Sequence, residues 1–132
     1  MRRLIIILIL FAAGCTSADT WHVVRVIDGD TIVARRACGC ESRVRLLCVD
    51  APERGQPGYA EAGEVLRSLI DGHPIRLEAD PGHRDRDRWG RLLRYVWLGG
   101  RLINAELVRR GAATYYMKFG KSCYESEFRA DF

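Results

Sequence analysis

Three short segments concentrate the residue types that hydrolytic chemistry uses. Ile27-Asp28-Gly29-Asp30-Thr31 sets two carboxylates around a glycine, and the run Val44-Arg45-Leu46-Leu47-Cys48-Val49-Asp50-Ala51-Pro52-Glu53 carries an arginine and two acids. Asp87-Arg88-Trp89-Gly90-Arg91 places an aromatic between arginines. Singly, each has a plain structural reading: Asp-Gly-Asp is a good turn, Asp50 before Ala-Pro can cap a loop, and Arg84 to Arg91 can be a solvated charged loop. Together they offer carboxylates able to hold a hard cation, a further carboxylate close by, and two arginines suited to a phosphate. Calcium takes oxygen ligands from carboxylates, carbonyls and water. Phosphodiester hydrolysis needs a positioned water, a base, and positive charge on the developing transition state.

The elements that must position these groups are legible from periodicity. His22 to Ile27, Thr31 to Arg35 and Arg43 to Val49 are β-branched runs separated by Asp28-Gly29-Asp30 and by Ala37-Cys38-Gly39-Cys40, the pattern of hairpin-linked strands. Ala62, Val65, Leu66, Leu69 and Ile70 follow the spacing of an amphipathic helix, bounded by Pro57-Gly58 before and Gly72 with Pro74 after. Ile75 to Glu78 and Leu92 to Leu98 read as two more strands, and Asn104 to Arg110 as a helix that Gly111 ends in a left-handed cap. The order β-β-β-α-β-β-α is that of a five-stranded OB-type barrel, a β-barrel with helices whose face and loops commonly bind nucleic acid or sugar.

At 132 residues with 48% hydrophobic content the chain is one domain's worth, and its 29% charged residues and lack of repeats exclude disordered, collagenous and solenoid classes. The net charge is +4, of which Arg2 and Arg3 supply two. The basic set is lopsided: of 21 basic residues only Lys118 and Lys121 are lysine, and both are expected to face solvent. Arginine suits bidentate phosphate recognition, although a codon preference for arginine explains the bias equally well. Arg2 and Arg3, the apolar run Leu4 to Ala13 and then Gly14-Cys15 read as an export signal over residues 1–14, far shorter than the roughly 20 residues that a spanning helix needs. Ala12-Ala13-Gly14-Cys15 resembles a bacterial lipobox, which makes Cys15 the lipidated first mature residue, residues 15–20 a tether and residues 21–132 the folded domain. The expected location is therefore the cell envelope, anchored to the membrane through Cys15, with cleavage after Ala18 and secretion as the alternative. Cys38, Cys40, Cys48 and Cys123 then lie where disulfides are permitted. One of Cys38 and Cys40 is expected to bond Cys48 or Cys123; zinc is the alternative, without the paired CxxC spacing of structural zinc sites.

The motifs "VIDGDTIV", "VRLLCVDAPE", "DRWGRLLRYVW" and "INAELVRRGAA", in that order from about Trp21 to Phe128, resemble the staphylococcal nuclease or thermonuclease-like family, calcium-dependent nucleases built on an OB-fold. The resemblance implies that Asp30, Asp50 and the backbone carbonyl of Ala51 hold Ca2+, with Asp28 shaping the site without binding directly. It implies that Glu53 acts through water as general base, and that Arg45 and Arg91 bind the scissile phosphate and stabilise the pentacoordinate transition state. Cleavage of DNA or RNA would then leave 3′-phosphate ends. Trp89 stands where the family usually has Tyr and is placed to stack on a base, with closure of the barrel rim as its structural alternative. Tyr115 and Tyr116 resemble the aromatic pair of the family's nucleotide pocket, with which of the two matters left open.

Two departures stand out. The loop "RGQPGY" after Glu53 is shorter than in the best-known family member, which predicts a more open site. "ESEFRADF" resembles the first turns of the family's last helix, which normally continues; a truncated helix is therefore expected, with Ala130 and Phe132 capping the core and a bond from Cys123 to a barrel cysteine offsetting the loss. The functional expectation is a monomeric calcium-dependent nuclease. The alternatives are a non-catalytic nucleic-acid-binding OB module and a structural lipoprotein with a vestigial site.

Overall fold

The computed structural model describes residues 19–129. The export signal, the lipidated Cys15, most of the tether and the capping roles of Ala130 and Phe132 lie outside the described residues. Strand β1 (Thr20–Asp28) pairs antiparallel with β2 (Thr31–Arg36), and β2 with β3 (Glu41–Leu46). Strand β4 (Val49–Asp50) leads to helix α1 (Tyr59–Ile70), then β5 (Pro74–Glu78) and β6 (Leu92–Leu98). A short β7 (Arg101–Leu102) runs into α2 (Ile103–Arg109), followed by β8 (Thr114–Tyr115) and α3 (Glu125–Arg129). The sheet order is β3-β2-β1-β5-β6-β7, and the parallel pairing of β3 with β6 closes the five long strands into a mixed barrel. This is the five-stranded OB-type barrel that the element order predicts, and closure removes the exposed strand edges. Among the described residues no helix is long and apolar enough to cross a membrane.

The core fills from alternating strand faces and the apolar stripe of α1. Ile32, Val44, Leu66, Ile70, Val96, Ile103 and Leu107 are fully buried. Gly111 takes φ 73° after α2, where the Ala112 N–H donates to the Leu107 carbonyl and ends the helix. α3 is five residues long, and its Phe128 is buried and stacks on Tyr115 with ring centroids 4.7 Å apart.

Two sequence expectations are corrected. The third strand does not run unbroken to Val49: it stops at Leu46, and Cys48 adopts φ 60°, the one non-glycine residue at positive φ among those described. That turn lets the chain reverse between Arg45 and Val49. Nor does Cys38 or Cys40 bond Cys48 or Cys123, since all four are free thiols. Cys38 and Cys40 stand exposed in the turn between β2 and β3, around Gly39 at φ 89°, whereas Cys48 is buried in the core.

Candidate active site at the barrel mouth

The β1–β2 turn presents the first carboxylates. A register irregularity between Val26 and Asp28 interrupts the β1–β2 ladder just before its last pair, Asp28 with Thr31, and bulges of this kind re-aim the chain. Asp28 Oδ1 accepts the Asp30 N–H at 3.2 Å, the bond of an Asx turn. Burial first, and then the charge of Asp30, raise the Asp28 carboxyl above its ordinary range. Gly29 has no room for a side chain, because an added Cβ would lie 2.6 Å from Ala62 Cβ of α1 and 2.8 Å from Ala51 Cβ. Glycine here lets the turn press between the helix and the segment that carries Asp50.

Asp30 is 7% exposed, and each of its oxygens is engaged. Oδ1 accepts from the Thr31 hydroxyl at 3.0 Å and Oδ2 from the Ala51 N–H at 2.9 Å, which ties the first acidic segment to the second. Arg45 is adjacent because β2 and β3 pair with Thr31 opposite Arg45, and the Leu46 N–H donates to the Asp30 carbonyl at 2.9 Å. Arg45 Nη1 donates to the carbonyls of Leu46 and Val49, both at 2.7 Å, and Nη2 lies 3.3 Å from Asp30 Oδ2 and 3.7 Å from Asp50 Oδ1. The turn at Cys48 brings the Val49 carbonyl back to this guanidinium. Asp30, Asp50 and Arg45 thus form one cluster, with the Asp50 side chain half-exposed.

Glu53 follows in a short turn, where its N–H donates to Gln56 Oε1 at 2.8 Å and its carbonyl accepts the Gln56 N–H at 2.9 Å. Its carboxylate is exposed and makes no hydrogen bond or ion pair with any described residue. Arg91 lies one residue before β6, whose Leu92 and Leu93 pair with Val44 and Arg45 of β3, so the parallel β3–β6 closure puts Arg91 just ahead of the strand that neighbours Arg45. Asp87 Oδ2 accepts from Arg91 Nε at 2.6 Å, and Asp87 Oδ1 accepts the Arg91 and Trp89 N–H groups at 3.0 Å each. Burial alone would raise the Asp87 carboxyl, but these bonds and the Arg91 charge outweigh it and hold it below the usual carboxylate range. With Nε taken, the terminal nitrogens of Arg91 remain for an anion.

Trp89 is 66% exposed, with the Arg88 guanidinium 4.1 Å and the Arg91 guanidinium 5.2 Å from its ring centre. An indole this open does not close the rim. Tyr115 and Tyr116 differ in what holds them. One face of Tyr115 stacks on Phe128 and its hydroxyl accepts the Ser122 N–H at 3.0 Å, while the Tyr116 N–H donates to the Cys48 carbonyl and its ring meets the exposed Phe119 edge-on at 6.2 Å. Lys118 and Lys121 are exposed, Lys121 lying 3.7 Å from Glu125.

Sequence reasoning assigned no role to two groups that hold the site in place. Asn104 is fully buried: its Oδ1 accepts the Val96 N–H at 2.8 Å and its Nδ2 donates to the Leu47 carbonyl at 2.9 Å, pinning the Leu47–Asp50 turn to α2 and β6. Its position in the first turn of a helix was the available signal. Asp87, four residues before Arg91, was legible as an ion-pair spacing.

Asp30, Asp50 and the Ala51 carbonyl, the donors that the family resemblance implies for a metal, are all oxygens, the donor type that a hard cation takes, and the Ala51 N–H bond to Asp30 ties their two segments together. Among the described residues no three His, Cys, Asp or Glu side chains gather around one point, and here the third donor would be a backbone carbonyl.

A closed OB-type barrel with Arg45 set against Asp30 and Asp50 at one end defines the class of protein. Residues 43–131 match the staphylococcal nuclease homologue family, and the chain belongs to it. It is 34% identical over 128 residues to a protein named thermonuclease from Staphylococcus hyicus, covering 91% of this chain and 73% of that protein. It is 38% identical over 101 residues to a thermonuclease from Staphylococcus intermedius, covering 72% of this chain and 58% of that protein. With endonuclease YncB of Bacillus subtilis it shares 37% identity over 114 residues, covering 81% of this chain and 53% of that protein.

Proposed function

We propose that the chain is a calcium-dependent nuclease that hydrolyses phosphodiester bonds of DNA or RNA and leaves 3′-phosphate ends. The observation that carries this reading is the seating of Arg45 against both Asp30 and Asp50, in a chain whose relatives are named thermonuclease and endonuclease. Asp30, Asp50 and the Ala51 carbonyl would hold the calcium ion, which when bound supplies positive charge toward a phosphate oxygen and orients water. Glu53, whose carboxylate bonds no described residue, takes the proton of the attacking water as the water oxygen bonds to phosphorus and the bond to the 5′ oxygen breaks. Arg45, braced by two carbonyls through Nη1, and Arg91, braced by Asp87 through Nε, offer their remaining nitrogens to the equatorial oxygens, where charge builds in the transition state.

Trp89 stacks a base of the substrate beside Arg91, and of the two tyrosines Tyr116 is the one for a further base, since Tyr115 is already stacked on Phe128. The Leu4–Ala13 run and Gly14-Cys15 support export and lipid anchoring at Cys15, and we place the protein in the cell envelope as a monomer. Incubating the purified protein with heat-denatured DNA in calcium or chelator tests the assignment, with the ends of the fragments identified by their susceptibility to phosphatase. Binding without cutting would favour the non-catalytic module.

A further inference from the structure

Outside the mouth, a second cluster joins the core to the segment between β8 and α3. Tyr95 is fully buried in β6, and its hydroxyl donates to Asp80 Oδ2 and pairs with Ser122 Oγ at 2.7 Å. Asp80 Oδ2 also accepts the Cys123 N–H at 3.1 Å. Cys48 Sγ lies 3.9 Å from the same Tyr95 hydroxyl and 3.8 Å from Nε2 of His83, whose side chain is 6% exposed and whose Nδ1 lies 3.4 Å from Asp80 Oδ2. The Cys48 sulfur and the Cys123 backbone therefore border one Tyr95–Asp80 pair. Their exposures are opposite: Cys48 is buried beneath His83, and Cys123 is open to solvent. Cys48 is also the residue held at φ 60°, and its carbonyl accepts the Tyr116 N–H at 2.8 Å, so the same residue already carries one link to the segment.

We propose that Cys48 and Cys123 are a disulfide-forming pair, closed by thiol–disulfide exchange with a small-molecule disulfide, which fastens the 116–124 segment to the barrel beside Asp50. The order of events follows from exposure. The Cys123 sulfur attacks the disulfide RSSR, forming Cys123–S–S–R and releasing one RSH. The Cys48 sulfur, out of reach of the solvent oxidant, then attacks the Cys123 sulfur, forming the Cys48–Cys123 bond and releasing the second RSH. Two thiols are oxidised, one RSSR is reduced to two RSH, and both cysteine protons leave with the released thiols. Cys38 and Cys40, together in the β2–β3 turn, take no part.

The test is incubation of the full chain with oxidised glutathione, followed by tryptic mapping without reductant and thermal unfolding. The expected result is a cross-link between the peptides Leu46–Arg54 and Ser122–Arg129, two hydrogens lighter than the separate pair, with a rise in Tm of about 10 °C that dithiothreitol reverses. Cys48→Ser should trap glutathione on Cys123 and lose the Tm rise, while Cys123→Ser should leave Cys48 a free thiol. Cys123 is exposed, so that second variant reports on folded protein. Persistent glutathione on Cys123 in the unsubstituted chain, or a cross-link through Cys38 or Cys40 in its place, would overturn the proposal.

Discussion

Arg45 Nη2 lies 3.3 Å from Asp30 Oδ2 and 3.7 Å from Asp50 Oδ1, so one guanidinium nitrogen spans the two acids that neighbouring segments bring to the barrel mouth. Its Nη1 donates to two carbonyls, which braces the guanidinium in place. Arg45→Lys keeps the charge and loses the fork. The expected outcome is a fall in kcat of about 10³-fold or more, the range of arginines at transferring phosphoryl groups. A lysine variant within tenfold of wild type would remove Arg45 from the transition state.

Asp87 touches no substrate in the proposed reaction and would act on it through Arg91, whose Nε it holds. Asp87→Asn keeps an acceptor for the backbone N–H groups but weakens the charge-assisted bond to Nε. Turnover should fall by about tenfold or more with a smaller change in KM, as loss of a transition-state contact requires. Steady-state kinetics of the variant beside Arg91→Ala decide it: the two effects should not add, because they act through one group.

Trp89 offers an open indole, and stacking on a base is worth about 1 to 3 kcal/mol. Trp89→Ala should therefore raise KM by about 5- to 150-fold with kcat nearly unchanged and Tm unmoved. A fall in Tm would instead mark the indole as part of the fold.

Gly29→Ala tests the close approach behind Asp30. The added carbon meets Ala62 and Ala51 at 2.6 and 2.8 Å, and overpacking of this kind costs about 1 to 3 kcal/mol. Because the Ala51 N–H holds Asp30, activity should drop together with the urea midpoint.

Acid lability should trace in part to Glu106, which lies against Arg101 at 3.1 Å and Arg110 at 2.8 Å and bonds Arg109. Burial alone would raise its carboxyl, yet the three arginines hold it at about 2. A carboxyl depressed on folding contributes stability that is full above its unfolded value near 4.5 and is lost as pH falls toward 2. Glu106→Gln should be less stable than wild type at pH 7 and should lose less on going to pH 3, read from urea midpoints at both values.

Much of this arrangement was legible in the residues. The motifs' resemblance to the family put Asp30, Arg45 and Asp50 in one site, and the pairing of Thr31 with Arg45 across β2 and β3 gives the physical reason for the first two; α1 and α2 announced themselves by their apolar spacing and the glycines beyond them. The break at Cys48 was not legible: its β-branched and apolar neighbours read as one strand, and only the carbonyls around Arg45 and the buried Asn104 show why the chain turns there. The cysteine pairing failed for a related reason. Spacing along the chain does not reveal that Cys38 and Cys40 sit at an exposed turn while Cys48 and Cys123 approach one tyrosine across the fold.

That Glu53 activates the water is tested most directly by Glu53→Gln, since that carboxylate is exposed and makes no hydrogen bond or ion pair with any described residue, and the variant is expected to fold as wild type does. Cleavage of heat-denatured DNA in calcium is measured for both proteins, with circular dichroism confirming equal folding. The account predicts cutting that chelator abolishes in wild type and a loss of about 10² to 10⁴-fold in the variant, the usual contribution of a general base. Equal rates from the two folded proteins would contradict it.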